Sequence, residues 1–251
     1  MADGSIDLVQ QVRSHLESLR AAGVLFVPRG EALVHAPLRV VAKQADVAPV
    51  VAPEQEDPLE TRQRELEVLR AEVAACDKCS ELFATRLQTV FGTGPLDAEV
   101  AFVGEAPGSG EDAQGEPFVG KSGHLLRRII AACQLPASRE YLFNIIKCRP
   151  PKNRPTTTTE CANCRDFFRR QFDLVKPKYV VALGLTASKL LTQKGGALSG
   201  LRGQVHEYRG VPLVCTHHPN DIENDETGQL KRETWDDMKL LLRTMGREVP
   251  K

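Results

Sequence analysis

The chain has 251 residues, 41% of them hydrophobic, and its formal net charge at pH 7 is zero. This length allows one sizeable core with an appendage, and no apolar run is long enough to cross a bilayer. The early acids and the lack of an apolar segment near the start make a secretory signal unexpected.

The distribution of charge and the number of cysteines indicate which partners and which cysteine chemistry to expect. Residues 1–75 carry a balance of −4 and residues 76–251 a balance of +4, so the C-terminal part is compatible with a nucleic-acid partner. Seven cysteines without an export signal indicate a metal site or packed thiols in a reducing compartment, not a disulfide framework. We therefore expect a cytoplasmic protein with no membrane partner.

The first 57 residues predict an extension. Apolar residues at helical spacing indicate a short amphipathic helix over residues 5–23, and residues 24–57 have the composition of a flexible linker. The apolar face of the helix consists of Leu8, Val9, Val12, Leu16 and Leu19, with Ile6 at its edge. The expected division is an extension, residues 1–57, and a folded domain, residues 58–251.

Short apolar runs alternate with helical segments in the folded domain. Such near-continuous apolar strands are typical of a sheet covered on both faces. The predicted class is α/β, a three-layer α/β/α sandwich with a central, mainly parallel four-stranded sheet. The strands are residues 100–104, 141–148, 179–184 and 211–216, and the helices are residues 59–75, 122–133, 159–175, 185–193 and 229–245. Ligands bind at the carboxyl ends of such strands, near residues 104–120, Asn144 and residues 216–220.

Five of the cysteines are arranged like metal ligands. Cys76 and Cys79 form one C-x-x-C pair, Cys161 and Cys164 form another, and Cys148 ends a predicted strand. Two pairs are compatible with a Cys₄ zinc site, whereas Cys76, Cys79, Cys148 and Cys164 are compatible with a [4Fe–4S] cluster. The spacing alone leaves both metals open. The two other cysteines, Cys133 and Cys215, lie in apolar contexts and are expected to be packed thiols.

Two loops at the strand ends contain residues that are typical of a ligand-binding or catalytic site. Residues 104–120 are rich in Gly and Pro but lack the Gly-Lys-Ser/Thr of a phosphate loop, and their acids would repel phosphate. Phe118 lies in this loop between Pro117 and Val119, and such an aromatic side chain is expected to cover a surface. His217 and His218 follow the last strand, and adjacent residues of an extended chain point to opposite sides, so at most one is expected to face a site.

Together these segments resemble the family 4 uracil-DNA glycosylases from about residue 65 to the C-terminus. The matching runs are C-D-K-C (76–79), F-V-G-E-A-P-G-S-G-E-D-A-Q-G-E-P-F-V-G-K-S-G (102–123), N-I-I-K-C-R-P-P-K-N-R-P-T (144–156), C-R-D-F from Cys164, V-V-A-L-G (180–184) and H-P (218–219). Their order and spacing form a far more specific match than any single motif. The resemblance implies a monofunctional DNA-repair hydrolase that removes uracil from DNA in base excision repair.

The resemblance also implies a cofactor and a partner. It assigns a structural [4Fe–4S] cluster to Cys76, Cys79, Cys148 and Cys164, and it leaves Cys161 as an extra thiol. The expected partner is uracil-containing DNA, single-stranded or duplex, bound by a monomer associated with the nucleoid. A replication-protein partner is not identifiable.

The resemblance assigns roles to residues of the two loops. Phe118 resembles the aromatic that stacks on the extruded uracil, Asn144 the amide that reads its edge, and His218 the donor to uracil O2. Glu105 and Ala106 lie in the loop expected to face the sugar and the attacking water. Glu111 and Asn153 match positions near the site. The predicted catalytic residues are therefore Glu105, Glu111, Asn153 and His218, and the predicted substrate-binding residues are Ala106, Phe118 and Asn144.

The sequence departs from the uracil-DNA glycosylase pattern at two places, and these departures keep alternative functions open. Ala106 occupies the place where another branch of the superfamily has a water-positioning Asp, and alanine cannot orient water. Residues 220–226 are acidic, which is unfavourable near phosphates, although Ile222 among them is a candidate DNA wedge. The alternatives are a superfamily member with another deaminated-base substrate or covalent trapping, and a DNA- or replication-protein-binding module with reduced turnover.

Overall fold

The computed structural model describes residues 8–23 and 57–250. The chain divides into two units, residues 1–54 and 55–251. The first unit contains helix α1, Leu8–Ala21. The predicted linker, residues 24–57, lies outside the described residues except for Asp57, so the division into extension and domain stays a prediction. None of the helices described has both the length and the apolarity that crossing a bilayer requires.

The second unit alternates strands and helices. Its helices begin where the sequence supplies caps: the Asp57 side chain accepts from the Leu59 amide before α2, and Thr157 and Glu160 form a capping box before α6. In chain order the elements are α2 Pro58–Ala74, α3 Ser80–Thr85, β1 Val100–Gly104, α4 Ser109–Gln114, α5 Lys121–Ala132, β2 Glu140–Asn144, α6 Thr158–Val175, β3 Tyr179–Leu183, α7 Gly184–Thr192, β4 Val205–Tyr208, β5 Val211–Thr216, α8 Pro219–Glu223 and α9 Gln229–Thr244. Short 3₁₀ turns lie at Ala137–Arg139, Pro151–Asn153 and Leu198–Gly200.

The strands form one sheet in the order β2-β1-β3-β5-β4. Strands β2, β1, β3 and β5 are parallel, so their carboxyl ends lie along one edge. In the β1–β2 register Gly104 is paired with Asn144, the last residue of β2. The predicted α/β class and mainly parallel sheet are therefore confirmed.

The number of strands is a correction, because the sheet has five strands and not four. The additional strand, β4, pairs antiparallel with β5 at one side of the sheet. Arg209 and Gly210 connect the two strands with φ angles of 52° and 81°, the left-handed conformation that a tight hairpin turn needs. β4 alternates exposed and buried residues, as an edge strand does, and so lacks the apolar run that marked the other four.

Successive residues of β1 serve two separate cores. Ala101 and Val103 pack with Phe143 and Phe168 on one face, whereas Phe102 packs on the other. The first core includes residues of α6 and α7, and the second includes residues of α5 and α9. The sheet is thus the middle of three layers, and only its edges and strand ends remain available for a site.

Candidate active site and cysteine site

A cavity of about 450 Å³ opens at the carboxyl edge of the sheet, and we call it the edge pocket. It is formed by the loops after β1, β2, β3 and β5, as expected for a parallel sheet. The pocket brings together seven of the eight predicted site residues outside the cysteines: Glu105, Ala106, Glu111, Phe118, Asn144, Asn153 and His218.

The Asn144 amide faces the pocket from the end of β2. Its side chain is buried, and no group in residues 8–23 or 57–250 hydrogen-bonds its amide atoms, so both remain available to a ligand. The backbone behind it is held firmly, because the buried Lys147 ammonium donates to the Asn144 carbonyl at 2.8 Å and to the Phe91 carbonyl at 3.1 Å. Lys147 also donates to Gln171 Oε1. These bonds fix the backbone from which the Asn144 side chain projects into the pocket.

Gly104 makes room for the pocket side chains, a role that no motif in the sequence indicates. A Cβ at this position would lie 2.2 Å from Asn144 Oδ1 and 2.9 Å from the tip of the Phe118 ring. Both distances are shorter than a van der Waals contact, so the two side chains reach their positions only because residue 104 has no side chain.

Phe118 is held by Glu111. The Phe118 ring is buried, and its backbone has a φ of 55°, an uncommon conformation for a bulky residue. Glu111 Oε1 accepts hydrogen bonds from the Val119 and Gly120 amides, each at 3.2 Å, and thereby fixes the loop immediately after the ring. One oxygen of Glu111 is thus committed to the backbone, which favours a positioning role over the predicted catalytic role.

His218 presents a defined tautomer. Its Nδ1 accepts from the Asn220 amide at 3.2 Å, which leaves the proton on Nε2. Burial lowers the pKa of His218 below its ordinary value, against the opposing influence of Asp221, Glu105 and Glu111. The ring is therefore a neutral hydrogen-bond donor on the pocket wall. The neighbouring His217 points away, and its Nε2 lies 2.6 Å from Glu233 Oε2.

Glu105 is held in the pocket by Thr156, a residue that no pattern in the sequence indicated. Glu105 Oε1 accepts from the Thr156 amide at 3.0 Å and from its hydroxyl at 2.7 Å. Glu105 Oε2 accepts no hydrogen bond from the described residues. Asn153 has a φ of 55°, and its Oδ1 accepts from Arg149 Nε at 2.8 Å. The pocket therefore holds one fixed carboxylate with an available oxygen.

Arg154 ties the loop after β2 to two helices. It donates to Glu81 Oε2 at 2.6 Å in α3 and to Glu160 Oε1 at 2.7 Å in α6. These hydrogen bonds raise the pKa of Arg154 above its ordinary value. The loop that carries Asn153 and Thr156 thus has a fixed position relative to α3.

The cysteine site consists of Cys76, Cys79, Cys148 and Cys164, which converge from α2, α3, the segment after β2, and α6. Burial raises the pKa of Cys164 to about 11, and the nearby Cys148 and Cys79 act in the same direction. Burial likewise raises the pKa of Cys148, and Cys76 and Cys79 add to this effect. Mutual electrostatic influence therefore links all four thiols. Within residues 8–23 and 57–250, no three Cys, His, Asp or Glu side chains are close enough to share one metal ion.

Hydrogen-bond donors point at two of these sulfurs. Arg86 donates to Cys148 Sγ at 3.0 Å, and Asn163 donates to Cys79 Sγ at 3.4 Å. Donors of this kind stabilise thiolates, the form that binds metals. Cys161 has other neighbours: its Sγ lies 3.5 Å from the Thr156 hydroxyl, and its pKa is raised by burial and, to a smaller extent, by Glu105 and Glu160. The donor set therefore fits a thiolate-bound group on the first four cysteines.

Comparison with known proteins identifies the family. A family model of the uracil DNA glycosylase superfamily matches residues 91–239. The type-4 uracil-DNA glycosylase of Archaeoglobus fulgidus is 35% identical over 187 residues, which cover 71% of this chain and 92% of that protein. The chain belongs to the type-4 branch of the uracil-DNA glycosylase superfamily. The type-4 uracil-DNA glycosylase of Thermotoga maritima is 34% identical over 181 residues, 71% of this chain and 94% of that protein.

The superfamily match covers the edge pocket but only part of the cysteine site. Cys148 and Cys164 lie within residues 91–239, whereas Cys76 and Cys79 precede them. A type-5 uracil-DNA glycosylase of Pyrobaculum aerophilum is also similar, with 32% identity over 158 residues, 56% of this chain and 69% of that protein. The glycosylase fold of this chain thus carries two thiols from a segment N-terminal to the part that the superfamily match covers.

Ile222 does not fit the wedge role predicted from the glycosylase resemblance. It is only 6% exposed, lies in α8, and packs beside Leu125 and Trp235. A wedge must reach from the surface into the base stack. The burial of Ile222 beside residues of α5 and α9 argues against this role, which stays a prediction.

The acidic segment after His218 has a partly structural explanation in this glycosylase. Asp225 accepts from the Thr227 amide at 3.0 Å and from the Leu230 amide at 2.7 Å, at the start of α9. A carboxylate there satisfies amides that the helix leaves unpaired. Lys121, Arg128 and Lys231 line a shallow cavity together with Glu223 and Glu226. Cations close to these acids reduce the repulsion that the segment would exert on DNA.

Proposed function

We propose that the protein is a uracil-DNA glycosylase that hydrolyses the N-glycosidic bond of uracil in DNA. The observation that carries the proposal is the edge pocket, which combines an aromatic ring, an amide available to a ligand and a neutral histidine donor in Phe118, Asn144 and His218. The names of the type-4 relatives support the same activity. The reaction is the first step of base excision repair.

Asn144 supplies the recognition of uracil. Its Oδ1 accepts from uracil N3–H while its Nδ2 donates to uracil O4. Cytosine presents the opposite pattern at these two atoms and would leave buried polar groups unpaired, which is an effective way to reject it. The Lys147 bond fixes the backbone of Asn144, so the amide enters the pocket from a defined point at the end of β2.

Phe118 covers the face of the base after it leaves the stack. An enzyme must extrude the target base before it reaches the glycosidic bond, and extrusion costs less from a single strand or a U·G mismatch. Stacking on the buried Phe118 ring compensates for part of the lost base stacking. The binding of single-stranded and mismatched DNA is therefore favoured over perfect duplex.

His218 stabilises the leaving group. As the bond between C1′ and N1 breaks, the sugar becomes positive and the uracil becomes negative. A neutral imidazole with its proton on Nε2 donates to uracil O2, where this charge develops. Burial favours the neutral form, so the donor is present without a positive charge that would have to be neutralised.

Glu105 orients the attacking water. Ala106 has no polar group for this purpose, and Glu105 Oε2 is available because Thr156 occupies only Oε1. Asn153 lines the same pocket and is a second polar group for the water or the sugar. Glu111 acts mainly through the loop that holds Phe118.

The cysteine site holds a [4Fe–4S] cluster on Cys76, Cys79, Cys148 and Cys164. Such a cluster takes one thiolate on each of its four irons, whereas a single zinc requires all four sulfurs within about 2.3 Å of one ion. Its contribution is structural, because it joins α2 and α3 to α6 and to the loop after β2. Arg86 and Asn163 stabilise the sulfurs, and Cys161 is not a ligand.

We also propose that the substrate is chromosomal uracil-containing DNA, single-stranded or duplex, met in the cytoplasm by a monomer. We propose that residues 58–251 form the catalytic domain and that residues 1–57 are an extension.

Release of free uracil from synthetic oligonucleotides tests the activity. The wild type should release uracil from single-stranded and U·G substrates, and Asn144→Ala should reduce kcat/KM on the order of 10²-fold, as expected for one preorganised donor. Asn224→Ala is the matched control, because Asn224 is exposed and outside the edge pocket. DNA binding by the wild type without release of uracil would instead favour a binding module. Release of another deaminated base in preference to uracil would favour the other superfamily substrate.

Gly104→Ala tests the packing of the pocket. The added Cβ would displace the Asn144 amide and the Phe118 ring, and a displacement of about 1 Å at such groups costs on the order of 10²-fold in rate. We expect kcat/KM to fall by this order while the thermal midpoint changes little, because the displaced groups are the ends of side chains. Gly200→Ala is the control, since its added Cβ meets no atom within 4 Å. Full activity of Gly104→Ala would contradict the described pocket.

A further inference from the structure

A second cavity adjoins the edge pocket, and we call it the basic groove. Its volume is about 580 Å³, and it lies between α6 and α7. Leu185 and Thr186 line both cavities, and Thr156, which holds Glu105, lines the groove. The groove extends from this shared end to Arg209 in the β4–β5 hairpin. It therefore leads directly away from the proposed catalytic site.

Four cations line the basic groove. Arg165 and Arg169 are one helical turn apart on α6, Lys189 lies opposite them on α7, and Arg209 closes the far end. Arg209 is paired with Asp173. In the part of the chain that the structure describes, Arg165, Arg169 and Lys189 form no ion pair, and no carboxylate lines the groove. Three positive charges thus remain available to an anionic ligand.

The floor of the groove is apolar. Phe168 and Leu191 are buried beneath it, while the Tyr208 ring is partly exposed and packs edge-on against Phe172. Leu185 is 40% exposed at the end shared with the edge pocket. A positively charged channel with apolar and aromatic surface is the combination that proteins use to bind single-stranded nucleic acid.

We propose that the basic groove binds the single-stranded segment of DNA that flanks the extruded uracil on one side. This inference rests on the proposed function, because it extends the DNA path from the edge pocket. Arg165, Arg169 and Lys189 contact successive phosphates, and Tyr208 contacts a base. The continuity with the edge pocket favours DNA over an acidic protein segment, since the strand that enters the pocket has to continue along the adjoining surface.

The size of the groove predicts how much DNA it holds. Cys161 and Arg169 are separated by eight residues of α6, a length of about 12 Å at 1.5 Å per residue. A strand stacked as in duplex DNA rises about 3.4 Å per nucleotide and an extended strand rises more, so this length holds at most roughly three nucleotides. A flank of this length should therefore increase affinity, and longer flanks should add little.

Single-stranded substrates with one uracil and one flank of increasing length test the proposal. For the wild type, KM should fall as the flank on one side grows to roughly three nucleotides and then stay constant. Arg165→Glu combined with Arg169→Glu should abolish this decrease, raising KM for long substrates on the order of tenfold while kcat for the shortest substrate stays unchanged. The slope of log KM against the logarithm of the salt concentration should decrease by about 1.4. This is about 0.7 for each of two lost phosphate contacts.

The control is the matched double charge reversal Lys178→Glu with Arg243→Glu, because both side chains are exposed and neither lines the groove or the edge pocket. Thermal unfolding of both double variants checks that the fold is retained. The proposal is overturned if the wild type releases uracil and the groove variant keeps the same length and salt dependence.

A direct binding measurement tests the groove proposal separately from the proposed glycosylase activity. Fluorescence anisotropy with a single-stranded oligonucleotide lacking uracil should show weaker binding by the groove variant than by the control variant. This loss would support the groove even if no substrate releases uracil, an outcome that would reject only the proposed function. A groove variant that loses affinity for polyglutamate but not for the oligonucleotide would assign the groove to an acidic protein partner and reject DNA as its occupant.

Discussion

His218→Ala is expected to slow uracil release on the order of 10²–10³-fold, the usual effect of losing one preorganised donor at a developing negative charge. The expectation follows from the Nδ1 bond to the Asn220 amide, which leaves Nε2–H as the only donor of this ring towards the pocket. Single-turnover rates on a single-stranded substrate measure the effect, because product release does not enter them. Binding of DNA should change much less, since the interaction forms mainly in the transition state.

The adjacent histidine is the matched control. His217 contacts Glu233 and does not line the edge pocket, so His217→Ala should retain most of the single-turnover rate. If the two alanine variants had equal rates, His218 would not be the donor, and the negative charge on uracil would need another stabiliser.

The pH dependence of the wild type follows from the same residue. Burial lowers the pKa of His218, so the neutral donor persists below the ordinary histidine value of about 6.5. Single-turnover rates should therefore be constant above that pH and fall only as pH decreases through the lowered pKa. Stability changes with pH in the same direction as the rate. Because the pKa of His218 is lower in the folded state than in the unfolded state, the residue stabilises the fold above its unfolded-state pKa. This stabilisation is lost as the pH falls through the folded-state pKa. The His218→Ala variant should lack this fall in rate.

Cys148→Ser is expected to abolish cluster binding and to destabilise the domain. Its thiol is buried, accepts from Arg86, and interacts electrostatically with the other thiols of the cysteine site. Because a bound metal centre contributes directly to folding, its loss should lower the thermal midpoint by more than about 10 °C, which corresponds to about 3–5 kcal/mol for a domain of this size. Visible absorption, iron and sulfide content, and thermal unfolding measure these changes.

Cys161→Ser is the control for this variant. Its sulfur lies beside the Thr156 hydroxyl and Glu105, on the side of α6 that faces the basic groove. The variant should keep the brown colour, the iron content and the thermal midpoint of the wild type. A colourless wild-type protein with one zinc per chain, or loss of the metal in Cys161→Ser with retention in Cys148→Ser, would overturn the proposed ligand set.

The parallel sheet could be predicted from the sequence because buried strands have a local signature. Residues 100–104 and 211–216 are short apolar runs rich in β-branched residues, and both are strands with these bounds. β4 has no such signature, because an edge strand exposes alternate residues. The same limit applies to the short helix α8: its amphipathic pattern is too brief to show that Ile222 packs inward.

The candidate site was predictable only where a motif marks it. Phe118, Asn144 and His218 were found through the resemblance, and strand ends placed them near one edge of the sheet. Gly104 and Thr156 were missed, because their importance arises from contacts with Asn144, Phe118 and Glu105. No local pattern encodes such contacts, since the partners are 14 to 51 positions apart.

The α/β class, the candidate chemistry at the strand ends and the thiols available for a metal could all be predicted from the amino-acid sequence. The three-dimensional contacts were needed to show which histidine faces the pocket, which oxygen of Glu105 is available, and that the Cys161 sulfur lies beside the Thr156 hydroxyl. The physical reason is that these properties depend on hydrogen bonds and burial between distant segments. Periodicity and spacing report only on neighbours along the chain, whereas a tautomer or a pKa depends on neighbours in space.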